Sequence, residues 1–476
     1  MMELLFQGTL PMLVLAAGTV VLMLQIAFWR NYRLSLAITA ATFLSALLAL
    51  ISVSHYIPIN VTAILVVDKY SVFFSALIIL SALVTLVVSA SYLQTRVGEN
   101  EEFFLLLILS TLGALVLVHS AHLASFLLGL ELMGVALYAL IAYPERGDLP
   151  LEAAIKYLVL SGAASAVLLF GFALLYAAVG TLSFEEIGLQ LKINGEGLIV
   201  MAGTAMILVG AGFKLSLVPF HMWTPDVYQG APAPVTGFLA SVSKAAVFAA
   251  LLRFYLSAGL SDFASLTLAL SVLAMFSMIV GNLLALRQLN IKRLLAYSSI
   301  AHMGYLLISL ILSKSELALE AAAFYLAAYM ITTLAAFTLI GLISCSGSTE
   351  RDHIDDIKGL FWRSPVLAGM FTLALLSLAG IPLTAGFIGK VYIFSAGVEQ
   401  SAWPLLWALI IGSAISIYYY VRLIFVMTLR DIDGVIEGSP VTLSFGNASL
   451  VVVLSGSIIY LGIFPQTFIR FLGSLL

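Results

Sequence analysis

Fourteen apolar runs, each about 20 residues long, follow one another through this chain, and that succession makes hydrocarbon the solvent for most of its surface. They begin near Leu10, Leu34, Tyr70, Phe104, Leu123, Leu151, Leu198, Val235, Phe263, Leu294, Leu317, Val366, Trp403 and Ala448. Only 9% of the residues are charged, against roughly 25% in a soluble domain. The bilayer core offers no water to backbone groups, so each span must bond internally, and the predicted fold is an all-α polytopic membrane protein of about 14 transmembrane helices. The first run continues to Phe28 with neither a basic flank nor a small-residue cleavage site, so it is expected to remain as a span.

Against that background five ionisable residues stand inside apolar runs: Glu131, Lys156, Lys214, Lys244 and Lys390. A charge near the bilayer centre costs about 3 kcal/mol or more, so it persists when paired, hydrated or functional. The other basic residues fall between runs. Arg30, Arg33, Arg96, Arg146, Arg287, Lys292, Arg293, Arg351, Lys358, Arg363, Arg422 and Arg430 lie in odd-numbered loops, whereas even loops and tails hold Lys69, Lys192, Arg253, Lys314 and Arg470. The positive-inside rule then puts both termini outside the cytoplasm.

Several chemistries are excluded early. Cys345 is alone, so no intrachain disulfide, iron–sulfur cluster or thiolate metal site can form. No glycine-rich strand-to-helix fingerprint for a nucleotide occurs, and no histidine pair has metal-ligand spacing. No metal site is expected. The longest polar stretches, roughly Ser344 to Ser364 and Arg430 to Ser444, are too short to fold alone.

The chain also resembles itself at a shift near 168 to 170 residues: Glu152 to Leu158 reads EAAIKYL where Glu320 to Leu326 reads EAAAFYL, and Leu132-Met133-Gly134 faces His302-Met303-Gly304. Spans 4 to 8 map onto 9 to 13. Five is odd, so the second copy enters the membrane inverted, an arrangement that builds two half-channels around a midplane site. The expected division is a three-helix segment at 1–102, a first unit at 103–258, an inverted second unit at 259–429 and a last helix in 430–476. The fourth span of each unit is interrupted. Pro219, Pro225, Pro232 and Pro234 prevent one continuous helix in the first, and Gly380-Ile381-Pro382 through Gly386 does so in the second. Each break lies close to a lysine, Lys214 or Lys390. Unwound backbone at depth is tolerated where it is packed in protein or lines a watery cavity.

A buried lysine alone loses its proton readily, and a carboxylate within a few ångströms restores it. Glu131, about eight residues into its run, and Lys214, whose run carries Gly203, Gly210 and Gly212, are therefore predicted to handle protons together, a carboxyl that stays protonated or a static ion pair between helices being the plain alternative for Glu131. Lys244 lies centrally, with Ser241 and Ser243 beside it to hold water. Lys156 and Lys390 stand nearer to segment ends, where a snorkelling lysine is the plain alternative. His302 follows Ala301, which aligns with Glu131, and His221 lies in the first break. Both are auxiliary candidates that a hydrogen-bonded helix contact would also explain. His119 and His122 are read as interfacial.

The run Gly212-Phe213-Lys214, Val218-Pro219-Phe220-His221-Met222-Trp223-Thr224-Pro225-Asp226-Val227-Tyr228-Gln229-Gly230-Ala231-Pro232 and then Ser243-Lys244-Ala245 resembles the proton-translocating, antiporter-like membrane subunits of respiratory complex I, the NADH-quinone oxidoreductase. The resemblance extends from the first span to the last. It implies fourteen helices in inverted five-helix units and proton transfer along a buried axis, driven by quinone reduction elsewhere in the complex. Glu131 matches the family's span-5 glutamate. Lys214, Lys244 and Lys390 match its lysines of spans 7, 8 and 12, and Lys156 matches a span-6 lysine that modulates the glutamate–lysine pair. Sister subunits read WLPDA where this chain has WTPDV, and the largest carries a long lateral helix after its core, so the resemblance is closest to the remaining branch.

The same resemblance implies partners and compartment: other membrane subunits, with flavin, iron–sulfur clusters and quinone handled by them, no cofactor in this chain, no nucleic acid, and a bacterial inner membrane. Rival readings are a subunit of a multisubunit sodium/proton antiporter, a subunit of a hydrogenase or deazaflavin-dependent complex, and a static scaffold for a redox arm.

Overall fold

In the computed structural model the described residues are 2–54, 56–94, 100–143, 148–195, 197–345, 350–430 and 443–473. Arg96 and Arg146 of the orientation argument, and parts of both long polar stretches, lie outside them. Helices dominate: α1 (Met2–Phe28), α2 (Tyr32–Val53), α3 (Lys69–Gln94), α4 (Glu101–Val118), α5 (Leu123–Ala142), α6 (Asp148–Val179), α7 (Phe184–Asn194), α8 (Leu198–Lys214), α9 (Trp223–Gly230), α10 (Ala233–Phe238) and α11 (Lys244–Ser257) form the first part. The second holds α12 (Ala264–Ala285), α13 (Ile291–Ile311), α14 (Glu316–Ser344), α15 (Leu360–Arg363), α16 (Pro365–Ala379), α17 (Ala385–Glu399), α18 (Trp403–Thr428), α19 (Phe445–Ile463) and α20 (Pro465–Gly473). Among the described residues twelve helices are long and apolar enough to cross a membrane, α10 and α11 being joined through a π-helical turn, Leu239–Ser243. The shorter apolar helices α8 and α16 are the two segments expected to be interrupted.

Three spans form the centre: the most apolar 18 residues of α10–α11 and of α13 are all buried, and those of α14 almost all. Around them α1, α2, α6, α12, α18 and α19 turn large apolar side chains outward, such as Leu48, Phe170, Phe276, Phe425 and Val452. That outward face suits lipid or another membrane protein. The interior is therefore set apart by packing rather than by polarity. Glycine makes the closest approaches: a Cβ on Gly171 of α6 would stand 2.8 Å from the Gly203 carbonyl of α8, and one on Gly203 3.0 Å from the Gly171 carbonyl. Small residues at membrane crossings let backbones meet in this way.

Some local features differ from expectation. A hairpin of β1 (Ile59–Thr62) and β2 (Leu65–Val67) joins α2 to α3, a pairing too short for the sequence pattern to reveal. Lys192, placed by sequence in an even-numbered loop, lies on the amphipathic helix α7. His119, read as facing a surface, is 1% exposed because α4 ends inside the protein, where its Nδ1 bonds the Leu115 carbonyl at 2.8 Å. His122 caps α5 by accepting the Ala124 amide at 3.1 Å.

Candidate functional site

Lys214 is the last residue of α8. The chain leaves the helix through Ser216 at φ +63° and Pro219, and side chains stitch the opened backbone. Ser277 accepts the Val218 amide at 3.0 Å, the Trp223 indole donates to the Phe213 carbonyl at 2.9 Å, and Thr224 donates to Ser216 at 2.7 Å. Pro225 lies in the first turn of α9, where a missing N–H costs nothing, so it helps start that helix. The α6–α8 glycine contact brings the Lys214 amine onto Ser161 of α6, to which it donates at 2.6 Å. The Ser161 and Tyr138 hydroxyls are 2.7 Å apart, and Ser165, one turn along α6, donates to the Glu131 carboxylate. Gly134, between Glu131 and Tyr138 on α5, leaves the room: a Cβ there would lie 3.5 Å from the Lys214 amine. Glu131 and Lys214 thus share one cluster without touching, with two serines between them.

Lys244 follows the π-helical turn and is fully buried. Its amine donates to Ser299 of α13 at 2.6 Å, and Ser299 is 2.6 Å from the Tyr329 hydroxyl of α14. The Tyr228 ring centroid lies 5.6 Å from the amine. Ser241 and Ser243, expected to hold water beside it, instead donate to the Gly237 and Leu239 carbonyls at 2.6 and 3.0 Å, because a helical serine reaches the preceding turn.

Lys390 returns to the second break. Helix α16 ends at Gly380, left-handed at φ +84°, and the Lys390 amine donates to the Ala379 and Leu378 carbonyls at 2.9 and 3.2 Å. It therefore satisfies orphan carbonyls at the negative end of a helix dipole. The Tyr305 ring lies 5.1 Å away. Pro382 lies in the turn itself, and Ser377 accepts the Gly386 amide at 3.0 Å to close it. His302 is held at both nitrogens, by Tyr325 at 2.7 Å and Tyr420 at 3.4 Å.

Two candidates are placed elsewhere. Lys156 pairs with Glu152 at 2.6 Å and with Asp226 of α9 at 2.9 Å, its side chain 41% exposed. Asp226 also takes Arg293 at 2.6 Å. His221 is buried, but neither ring nitrogen has a hydrogen-bond partner and it does not join the lysines. Lys292, counted from sequence as a loop residue, is wholly buried and paired with Glu350 and, at 3.6 Å, Asp352, while donating to the Ala231 carbonyl at 2.9 Å. Sequence reasoning missed Ser161, Ser165, Ser299, Tyr138 and Tyr329. The signal of the three serines, hydroxyls on the helices of Lys156 and His302, is shared by many serines that only back-bond in membrane helices, and the two tyrosines lie on other helices, α5 and α14.

Among the described residues no group of three or more His, Cys, Asp or Glu could hold a metal. Two interrupted spans with lysines at their breaks, in a bundle of this kind, define an antiporter-like membrane transport subunit. Residues 120–416 match the family described as NADH:quinone oxidoreductase/Mrp antiporter, TM. A Methylococcus capsulatus protein named NADH-quinone oxidoreductase subunit N is 50% identical over 463 residues, 97% of this chain and 93% of that protein. A chain of respiratory complex I from Thermus thermophilus with bound aureothin superposes with a TM-score of 0.83 at 35% identity, covering 97% of this chain and 98% of that one. A chain of the Mrp complex from Dietzia sp. DQ12-45-1b reaches 0.87 at 21% identity, over 99% of this chain and 97% of that one, a likeness of fold. The chain belongs to this family and, within it, to the NADH-quinone oxidoreductase subunit N branch that WTPDV pointed to.

Proposed function

We propose that the chain translocates protons as a membrane subunit of an NADH-quinone oxidoreductase, along Glu131, Lys214, Lys244 and Lys390, driven by quinone reduction in other subunits. One observation carries the reading. The amines of Lys214, Lys244 and Lys390 are buried, yet each bonds a neutral hydroxyl or carbonyl rather than a carboxylate. Buried Lys292 is held by two carboxylates, as a structural lysine should be. An amine bound to neutral oxygen can change protonation without abandoning an ion pair.

Glu131 is only partly covered, between Leu128 and Val135, which are 62% and 61% exposed. A carboxylate cannot face lipid, so this face is proposed to lie against a neighbouring membrane subunit. Lys156 enters the proposal in a second role, acting on the axis through Asp226 of α9 rather than touching it, and His302 and His221 remain auxiliary. The units 103–258 and 259–429 are proposed as inverted repeats, supported by their interrupted α8–α9 and α16–α17. Both termini are proposed to be periplasmic in the bacterial inner membrane. Flavin, iron–sulfur clusters and quinone are assigned to partner subunits, and a stoichiometric visible chromophore in the purified chain would contradict this.

The deciding experiment measures NADH-driven proton uptake into vesicles containing the assembled complex. Lys214→Ala should lose most pumping, and Lys214→Arg should lose it too, because guanidinium stays protonated and cannot release. Wild-type pumping by Lys214→Arg, with assembly intact, would remove Lys214 from the axis. Sodium-dependent uptake in the same vesicles would favour the sodium/proton antiporter reading.

A further inference from the structure

Two lysines of the axis carry the same attachment. Lys214 donates to Ser161 at 2.6 Å, whose oxygen is 2.7 Å from the Tyr138 hydroxyl. Lys244 donates to Ser299 at 2.6 Å, whose oxygen is 2.6 Å from the Tyr329 hydroxyl. Each lysine–serine–tyrosine triad joins three different spans, α8, α6 and α5 in one case and α11, α13 and α14 in the other. Ser161 and Ser299 are 0% and 2% exposed. Lys390 is attached differently, to two carbonyls.

We propose that Ser161 and Ser299 are positioning residues that keep the Lys214 and Lys244 amines hydrogen-bonded in both protonation states, with Tyr138 and Tyr329 completing each chain. This rests on the proton-translocation reading above. A hydroxyl both donates and accepts, whereas a carbonyl only accepts. When the amine is charged it donates to the serine oxygen, the serine hydrogen turns to the tyrosine oxygen, and Tyr329 turns its own hydrogen to the Ala240 carbonyl, 3.2 Å away. When the amine is neutral the serine hydrogen turns to the nitrogen lone pair and the tyrosine hydrogen turns to the serine. Only hydroxyl torsions change. No covalent bond to the serine or tyrosine breaks, and the proton itself leaves the amine by its other hydrogens. Leaving a buried lone pair or ammonium unsatisfied is what slows an unassisted change of state.

The carbonyls at Lys390 offer no hydrogen to a neutral amine, so the device is confined to the two inner lysines. The groups facing the first triad are Glu131 through Ser165, and the Tyr157 ring 5.6 Å from the Lys214 amine. Facing the second are Tyr228 beside Lys244 and His302, its ring centroid 5.5 Å from that of Tyr329.

The test uses the assembled complex in vesicles and reads proton uptake beside assembly for Ser161→Ala, Ser161→Thr, Ser299→Ala and Ser299→Thr. Losing one hydrogen bond to a charged group should slow pumping about tenfold in each alanine variant. Threonine, which restores the hydroxyl, should recover most of it. Wild-type pumping in both alanine variants overturns the proposal, as does equal loss in alanine and threonine, which marks the serines as packing only. Should the alanine variants fail to assemble, Tyr138→Phe and Tyr329→Phe decide: both leave the lysine–serine bond in place, and full pumping by both overturns it. Lys214→Ala measured alongside separates the two readings. If it also pumps normally the axis itself fails, and if it is inactive while Ser161→Ala pumps normally only the positioning role falls.

Discussion

Lys156 lies on a helix of the proposed axis but points to Asp226, and a double-mutant cycle on that pair tests how it acts. Asp226→Asn removes two ion pairs, to Lys156 at 2.9 Å and to Arg293 at 2.6 Å, whereas Lys156→Ala removes only the first of them together with the Glu152 contact. The partners are roughly a third exposed, so each pair contributes about 0.2–1 kcal/mol after solvent screening. Asp226→Asn should therefore cost about 0.4–2 kcal/mol of local stability at α9, and the Lys156–Asp226 coupling should reach up to about 1 kcal/mol, a factor of about five in rate or equilibrium. Pumping by the two single variants and the double variant, in vesicles with the complex assembled, gives the coupling directly. If Lys156 acts through Asp226, Lys156→Ala should change pumping little once Asp226 is Asn. Fully multiplicative effects would refute that route and return Lys156 to the axis as a carrier in its own right.

At the mouth of α3, Asp68 takes both Arg253 nitrogens, at 2.7 and 2.9 Å, and accepts the Ser71 amide at 2.8 Å. Burial alone would push its carboxyl up, but Arg253 and the Ser71 amide hold it below the ordinary carboxylate value. The contribution is thus present at neutral pH and lost as pH falls below about 4. Asp68→Asn should lower stability by about 2 kcal/mol at pH 7, a gap that closes in acid; a pH-independent gap in thermal melts would contradict this. A Cβ at Gly171 meets the Gly203 carbonyl at 2.8 Å, so Gly171→Val should cost about 1–3 kcal/mol and shift Lys214 from Ser161, and an unchanged melt with normal pumping would show the crossing is slack. Lys292→Met strands Glu350 and Asp352 and should cost about 3 kcal/mol or more, seen as failed assembly, whereas Lys214→Met should assemble and fail to pump.

The spans were legible because their signal is cumulative: about 20 apolar residues in succession have one stable fate in a bilayer. All fourteen predicted starts fall in or beside a helix of the structure, and both predicted interruptions occur, at Lys214 and at Gly380. The hairpin at Ile59–Val67 and the π-helical turn before Lys244 were not legible, since each involves a handful of residues whose conformation depends on what packs against them. Lys292 shows the same limit for burial. Lying between two runs, it read as a loop residue, and only the return of Glu350 and Asp352 from beyond α14 makes it an interior one.

The site was half legible for a related reason. A lysine inside an apolar run announces itself by cost alone, which is how Lys214, Lys244 and Lys390 stood out. What they bond is fixed by helices distant in sequence: α6 supplies Ser161, α13 supplies Ser299, and the end of α16 supplies two carbonyls. Serine in a membrane helix is unremarked by composition, because its default is to bond its own preceding turn, as Ser241 and Ser243 do. Ser161 and Ser299 differ in having both an amine and a tyrosine hydroxyl within reach. The proposed distinction between a working and a structural lysine therefore lies in the partner's chemistry: carboxylates hold Lys292, whereas Lys214 and Lys244 each donate to a serine hydroxyl.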